Sequence, residues 1–322
     1  MRALIIRLSS LGDVILVSSV LPALKEKGWE VELLTFKPFG ELFKNQPFLK
    51  RVIEVEKKEL TGLKRIKEFA RKLEDFDVAF DLHDTLRTKI LRHYLGFPVY
   101  TYRKRSFLRR VMTIFKPFKA QWLFVPELYA GVFRKAGVEI KNPRPCLKVD
   151  GEALRKVGEK IKGLKNPVAV APGARWEGKA YPIERFKEVV KLLKEEGFTP
   201  IAVGGRDERE KGETLEEAGA VNLCGELSLK ESLALISLCM GVISNDSAVV
   251  HMARAVKTPV VSIYGPTHPA LGFAPYPDEG KALTLNLPCS PCSLHGKTRC
   301  RERRCFEIPP KRVVEELKGV IK

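Results

Sequence analysis

Two neighbouring stretches, Ser244-Asn245-Asp246-Ser247-Ala248-Val249-Val250-His251 and Thr258-Pro259-Val260-Val261-Ser262-Ile263-Tyr264-Gly265-Pro266-Thr267, decide the fold. An apolar run, Gly241 to Ile243, ends in a polar Asn-Asp-Ser turn. A helix-forming segment follows, and a second apolar run ends in Gly-Pro-Thr. The pattern predicts strand, loop, helix, strand, loop. In a parallel sheet both loops open at the carboxyl ends of their strands, where open α/β sheets bind ligands. Asn245, Asp246 and Ser247 are N-cap residue types, and the helix they start offers unpaired backbone N–H groups and a positive dipole end to a phosphate. Asp246 suits a sugar hydroxyl better than a phosphate. Beside this stands the plainer reading that Asp246 or Ser247 only caps a helix, as nearly every helix requires.

The start of the chain repeats the arrangement. Ala3 to Leu8 is a short apolar strand holding one Arg, followed by Ser9-Ser10-Leu11-Gly12-Asp13 and an apolar segment, Val14 to Leu24. Small residues let a ligand approach the backbone, and Asp13 falls in the first helical turn, where the dipole favours its ionised form. A carboxylate so placed can accept a proton from an attacking hydroxyl. The dinucleotide fingerprint G-x-G-x-x-G is absent. Two such units suggest two similar α/β domains facing one another.

At this point the residues resemble the ADP-heptose:lipopolysaccharide heptosyltransferases, which are metal-independent, inverting glycosyltransferases of the GT-B fold. The resemblance is carried by several blocks in the family's order: Ser9-Ser10-Leu11-Gly12-Asp13-Val14, Pro172-Gly173-Ala174-Arg175-Trp176 with Lys179 and Tyr181-Pro182, Gly204-Gly205-Arg206-Asp207-Glu208, and Asn245-Asp246-Ser247 to Gly265-Pro266-Thr267. The late run Cys289-Ser290-Pro291-Cys292 also looks like the family. The fold expected is therefore α/β, with two doubly wound Rossmann-like domains facing a cleft and a C-terminal helix crossing back to the first. Residues 1–148 would form the acceptor-binding domain, 149–308 the nucleotide-sugar-binding domain and 309–322 the terminal helix.

Composition agrees. The 322 residues fit two domains of ordinary size. No stretch approaches the roughly 20 apolar residues of a membrane span, and Met1-Arg2 runs into a core strand rather than a signal peptide, so a cytoplasmic protein with mostly reduced cysteines is expected. Two Gln and six Asn against 57 Lys plus Arg and 39 Asp plus Glu lean towards a thermophile, in which case intracellular disulfides are less surprising.

The formal net charge of +18 is unevenly spread. From Thr85 to Pro126 there is no Asp or Glu, while Arg87, Lys89, Arg92, Arg103, Lys104, Arg105, Arg109, Arg110, Lys116 and Lys119 are interleaved with apolar residues such as Tyr100, Phe107, Phe115, Phe118 and Trp122. Such a segment suits an anionic membrane surface or phosphorylated lipid, single-stranded nucleic acid, or a merely well-solvated surface. The resemblance selects the first, since the family's acceptor is the Kdo-bearing lipid A core at the inner leaflet. Arg87, Arg103, Arg105, Arg109 and Arg110 are the acceptor-site candidates. The partners so implied are ADP-heptose, this glycolipid and the anionic surface of the inner membrane, to which the protein would bind peripherally; no nucleic acid is expected.

Strand and helix signals alternate along the first half, with strands at 3–8, 30–35, 52–55 and 78–81 and helices to about 27, at 60–73 and around 86–95, the pattern of a parallel doubly wound sheet. Lys141 to Lys148, with Pro143 and Pro145, suits a linker. The second half has strands at 167–171, 199–203, 221–223 and in the 241–267 unit, helices near 152–162, 183–196, 229–238 and 310–321, and an acidic helix to Ala218. The resemblance implies that Lys179 and Arg175 neutralise the departing diphosphate and that Glu208, with Asp207 as the nearby second choice, takes the ribose hydroxyls. It further implies that Asp246 binds heptose hydroxyls, that the Ser247 and Ala248 amides meet the diphosphate, and that Thr267 adds a hydroxyl contact. Ser9, Ser10 and Gly12 would line the donor from the first domain. Without the resemblance Lys179 reads as a surface lysine and Glu208 as a solvated loop acid. His268 stands where relatives would have Asp, and His251 reads as a buried packing residue. Cys289, Cys292, Cys300 and Cys305 form C-x2-C-x7-C-x4-C, a spacing open to a small structural zinc site, a disulfide or free thiols; the adjoining basic string, Arg299 to Arg304, favours ionised thiols.

The chemistry implied is direct displacement with inversion, with Asp13 as general base, Lys179 and Arg175 on the leaving ADP, and neither cofactor nor catalytic metal. Another nucleotide-sugar glycosyltransferase, or a nucleotide-sugar epimerase of similar fold, is the alternative.

Overall fold

The computed structural model describes every residue except 74, 116–121, 298–299 and 322. Of the basic-segment residues named above, Lys116, Phe118 and Lys119 lie outside the described residues, as does Arg299 of the cysteine-rich string. The chain forms two compact units: Met1–Lys104 with Val125–Lys148, and Arg105–Phe124 with Val149–Lys322.

The first unit is built on five parallel strands, β1 (Arg2–Ile6), β2 (Glu30–Phe36), β3 (Arg51–Val55), β4 (Val78–Asp81) and β5 (Val99–Thr101), in the order β3-β2-β1-β4-β5. Its helices are α1 (Leu11–Val17), α2 (Leu21–Glu26), α3 (Leu63–Ala70) and α4 (Leu86–His93), and after α5 (Ser106–Ile114), which belongs to the other unit, α6 (Val125–Arg134). β1 and β4 are continuous apolar runs because helices cover both faces of the sheet. The single helix expected after Asp13 is two. The Ser18 and Ser19 hydroxyls donate back to the Ile15 and Leu16 carbonyls at 2.6 and 2.7 Å, and Pro22 has no N–H with which to continue the ladder. The proline-rich linker is pinned to this unit. Lys148 N–H donates to Gln46 Oε1 at 2.8 Å, Gln46 Nε2 donates to the Lys148 carbonyl at 2.9 Å, and Cys146 N–H donates to Ser18 Oγ at 3.0 Å.

The second unit holds six parallel strands, β6 (Pro167–Ala171), β7 (Thr199–Ala202), β8 (Val221–Asn222), β9 (Gly241–Asn245), β10 (Val260–Ile263) and β11 (Gly280–Leu283), in the order β11-β10-β9-β6-β7-β8. Around them lie α7 (Gly151–Lys160), α8 (Ile183–Glu195), α9 (Arg209–Glu216), α10 (Leu229–Leu238), α11 (Ala248–Ala255) and α12 (Pro310–Val320). In both sheets the order reverses beside the first strand, between β1 and β4 and between β6 and β9, and a crevice opens at the carboxyl ends there.

Two expectations about chain path are corrected. The last helix does not leave the second unit: Val313, Val314 and Leu317, a stripe at helical spacing, are in its core, and α12 packs on α8 and β9 to β11. Conversely, residues 105–115 and 122–124, placed by sequence with the first half, belong to the second unit. Leu123 N–H donates to the Ala270 carbonyl at 3.1 Å, the Phe124 ring stacks on Tyr276 at 4.4 Å, and Arg109 lies 5.1 Å over Phe273.

Candidate active site

In the first unit the loop after β1 carries Arg7 to Ser10 and the loop after β4 carries Leu82 to Thr85. Asp13, in the first turn of α1, has Oδ1 2.6 Å from Arg7 Nη2 and accepts from Ser10 Oγ at 2.7 Å through Oδ2. Arg7 is buried and also donates through Nη1 to the Leu82 carbonyl at 2.5 Å. Burial opposes the charge on Arg7, but Asp13 with the rings of Tyr129 and Tyr102 more than offsets it and raises its pKa. A permanent cation thus holds the Asp13 side chain in place through an ion pair.

Beside them His83 is buried, and its Nδ1 accepts from Leu8 N–H at 3.2 Å, which leaves the ring proton on Nε2. Burial, then the charges of Arg7 and Lys104, push the His83 imidazole down to about 3, so it is neutral at working pH. Asp81 sets this loop, its Oδ1 accepting from the N–H groups of His83 and Asp84 at 2.9 and 3.0 Å. Lys104 is partly buried; burial and then Arg7 lower its pKa.

In the second unit the loops after β6, β7, β9 and β10 meet over the reversal point. Lys179 Nζ lies 2.5 Å from Asp246 Oδ2, and Thr267 Oγ1 donates to the same oxygen at 2.9 Å. Asn245, fully buried, ties the loops together. Its Oδ1 accepts from Tyr181 N–H at 2.9 Å, and its Nδ2 donates to the carbonyls of Pro172 and Gly173 at 2.8 and 3.1 Å. Ser247 caps α11, its Oγ accepting from Val249 N–H at 3.3 Å. Glu208 Oε2 accepts from Gly205 N–H at 2.7 Å, and its carboxylate lies so close over Gly173 that a Cβ there would fall 1.5 Å from Oε1. The site therefore holds a cation, two carboxylates, a hydroxyl and a helix N-terminus, a set suited to a sugar esterified to a diphosphate.

Residues 66–301 match the sequence profile of glycosyltransferase family 9 (heptosyltransferase). The chain belongs to glycosyltransferase family 9. It is 25% identical over 272 residues to lipopolysaccharide heptosyltransferase 2 of Escherichia coli K12, covering 76% of each chain. The glycosyl transferase family 9 structure from Veillonella parvula superposes with a TM-score of 0.82 at 18% identity, covering 99% of this chain and 97% of that one. The E. coli ADP-heptose lps heptosyltransferase II does so at 0.74 and 20%, covering 100% and 98%. The fold is that of the GT-B transferases, and the enzyme is a glycosyltransferase.

Within this family member, the structure brings Lys179, Asp246 and Thr267 into one cluster, with Ser247 and Ala248 at the start of α11, and places Glu208 on the neighbouring loop. Arg175 is exposed on the loop after β6 and has no ion pair among the described residues. Ser9 and Ser10 precede α1, and Gly12 is buried inside it. The five acceptor-site arginines are divided between the two units, Arg87 and Arg103 in the first and Arg105, Arg109 and Arg110 in the second. Arg87 is used within the first unit, donating from Nε to the Leu60 carbonyl at 2.7 Å and lying 5.4 Å over Phe36. Arg109 sits over Phe273 in the second, with Nε and Nη2 buried and unbonded. Arg103, Arg105 and Arg110 are exposed.

Asn245, read as a capping type, is instead the clamp between β9 and the β6 loop. His268 accepts from Ala270 N–H at 3.1 Å through Nδ1 and meets Asn286 Oδ1 at 3.2 Å through Nε2, capping a short turn. His251 is a buried packing residue on α11. Sequence reasoning missed Arg7 and His83 as site residues. The signal for Arg7 was a lone charge in an otherwise apolar strand; His83 had none beyond its place just after a strand.

Proposed function

We propose that this transferase moves a heptose from ADP-heptose to the Kdo or heptose of a lipopolysaccharide inner core, with inversion. The observation that carries the reading is the Arg7–Asp13 ion pair, a carboxyl group fixed by a buried guanidinium at a strand-to-helix loop. Asp13 takes the proton of the acceptor hydroxyl as its oxygen bonds to the anomeric carbon, and the bond from that carbon to the β-phosphate oxygen breaks. ADP leaves as an anion and needs no acid, so one carboxylate suffices, unlike glycoside hydrolysis. Lys179, aimed by its ion pair with Asp246, meets the growing charge on the diphosphate together with Arg175 and the first amides of α11. Glu208 receives the ribose hydroxyls, and Asp246 with Thr267 the sugar. No metal is needed, because these cations take its place. The donor is supported by the name of the ADP-heptose relative and by this set of groups.

The acceptor side is supported by charge. In α5 and just beyond it Phe107, Ile114, Phe115 and Trp122 are 83, 69, 57 and 48% exposed. Phe107, Arg110 and Ile114 share one helix face, in a stretch without acids. Such a face fits the anionic cytoplasmic leaflet and its glycolipid. Among the described residues no helix is long and apolar enough to cross a membrane, and the proposed attachment is peripheral.

The deciding experiment is ADP release from ADP-heptose with and without Kdo-bearing lipid A, in the presence of chelator. Release that requires the lipid and survives chelation supports the reading. A protein that binds ADP yet releases none under either condition has another donor or acceptor.

A further inference from the structure

We propose that Cys289, Cys292, Cys300 and Cys305 hold one structural, thiophilic divalent metal ion, zinc or iron, as a tetrathiolate that fastens the 289–306 segment to the donor-binding loops. All four cysteines line a single pocket, together with Gly178, Gly265, Pro266 and Phe306. Cys305 is half-buried at the inner end of this set, and Cys289, Cys292 and Cys300 are exposed. The two other cysteines of the second unit, Cys224 and Cys239, are buried elsewhere in it and do not line this pocket.

The segment needs such a fastening. Its described residues contain no strand and only one turn of 3-10 helix, at Arg304–Phe306, whereas stretches of this length without secondary structure are uncommon in compact domains. No two of the four are joined in a disulfide. Among the described residues no three His, Cys, Asp or Glu side chains already converge as a cage. Binding displaces the four thiol protons and leaves a site of net charge −2, within a string, Lys297 to Arg304, of five cations and one acid.

The segment also touches the donor site. Cys292 N–H and Ser293 N–H both donate to the Pro266 carbonyl, at 3.0 and 3.1 Å, one residue before Thr267. Gly296 lies flat on the Lys179 side chain, where a Cβ would fall 2.0 Å from Cγ, and Arg303 donates to the Ala180 carbonyl. Ordering the segment thus orders Lys179 and Thr267, a consequence that rests on the function proposed above, whereas the metal itself does not.

The test is elemental analysis of the full-length protein purified without chelator, followed by cobalt titration of the metal-stripped protein. About one equivalent of zinc or iron per chain, and the intense visible bands of tetrahedral cobalt thiolate, are expected; the element found distinguishes the two metals. Cys292→Ser and Cys300→Ser should lose the metal and the bands, and Cys239→Ser should keep both. Metal-free wild type that gives no cobalt bands overturns the proposal, as does full occupancy in a Cys292→Ser/Cys300→Ser variant or a mass showing disulfides in place of metal. Stripping should also weaken ADP binding by about tenfold, a coupling of ordinary size. ADP binding left unchanged by stripping the metal would overturn only the link to the donor site and leave the metal standing.

Discussion

Asp13 and Arg7 show how one residue's chemistry is set by another's. Removing the proposed base while keeping its shape, Asp13→Asn, should lower turnover by about 10²- to 10⁴-fold, the range for a general base, with ADP affinity by calorimetry unchanged. A variant with normal turnover removes Asp13 from the reaction. Lys179→Ala should cost about 10²- to 10³-fold in kcat, as loss of a group that meets developing charge does; a rise in KM alone would make it a ground-state contact. His83 supplies a pH dependence. Its pKa lies near 3 folded, against about 6.5 unfolded, so between these values the unfolded chain binds the extra proton and stability falls as pH falls. At about pH 5 this costs about 2 kcal/mol relative to neutral pH. His83→Gln should flatten the stability profile below about pH 6.5 in denaturant titrations at stepped pH. The strand, loop and helix around Asp13 were legible from the apolar run Ala3 to Leu8 and the small residues after it. Arg7 was not, because only the fold shows that the end of β1 faces Asp13 and not the core.

At the scale of elements, the strands and most helices of both sheets could be read from alternating apolar runs, whereas β5 (Val-Tyr-Thr) and β11 (Gly-Lys-Ala-Leu) present no apolar run, and α5 reads as a charge run. The loops that matter all follow strands, and Asn245 joins two of them through three buried hydrogen bonds. Asn245→Ala should destabilise the second unit by about 2 to 4 kcal/mol by leaving the Tyr181 N–H and two carbonyls unpaired, and should raise the donor KM as the β6 loop loosens; denaturant midpoints and kinetics check the two parts. For α5, replacing Phe107 and Ile114 with Ser should reduce co-sedimentation with vesicles rich in phosphatidylglycerol, with the unfolding midpoint unchanged. Equal binding by both forms would take this helix face out of the membrane contact. The parting of the five arginines between two units could not be read from sequence, because their nearness along the chain says nothing of which core each segment joins.

For the whole molecule, the +18 charge should make turnover on a glycolipid acceptor in anionic vesicles fall steeply with ionic strength, while ADP binding, made by short contacts in a site of its own, falls much less. Parallel decline of both would assign the excess charge to the donor site or to general solvation. The two-domain architecture was legible from the repeated strand-loop-helix pattern; the path of the chain between the units was not, since it depends on which core the apolar residues of 105–124 and 310–320 find nearest.

That path has a consequence for how the protein can be divided. Because Phe124 stacks on Tyr276 and Leu123 bonds to Ala270, the second unit is completed by a piece of chain encoded inside the first. The polypeptide passes between the units three times rather than once. A protease that nicks a single connection leaves two others intact, and a gene fragment beginning at residue 149 encodes a unit with an open seam along Ala270 and Tyr276. The halves of this enzyme are separable in space but not in sequence.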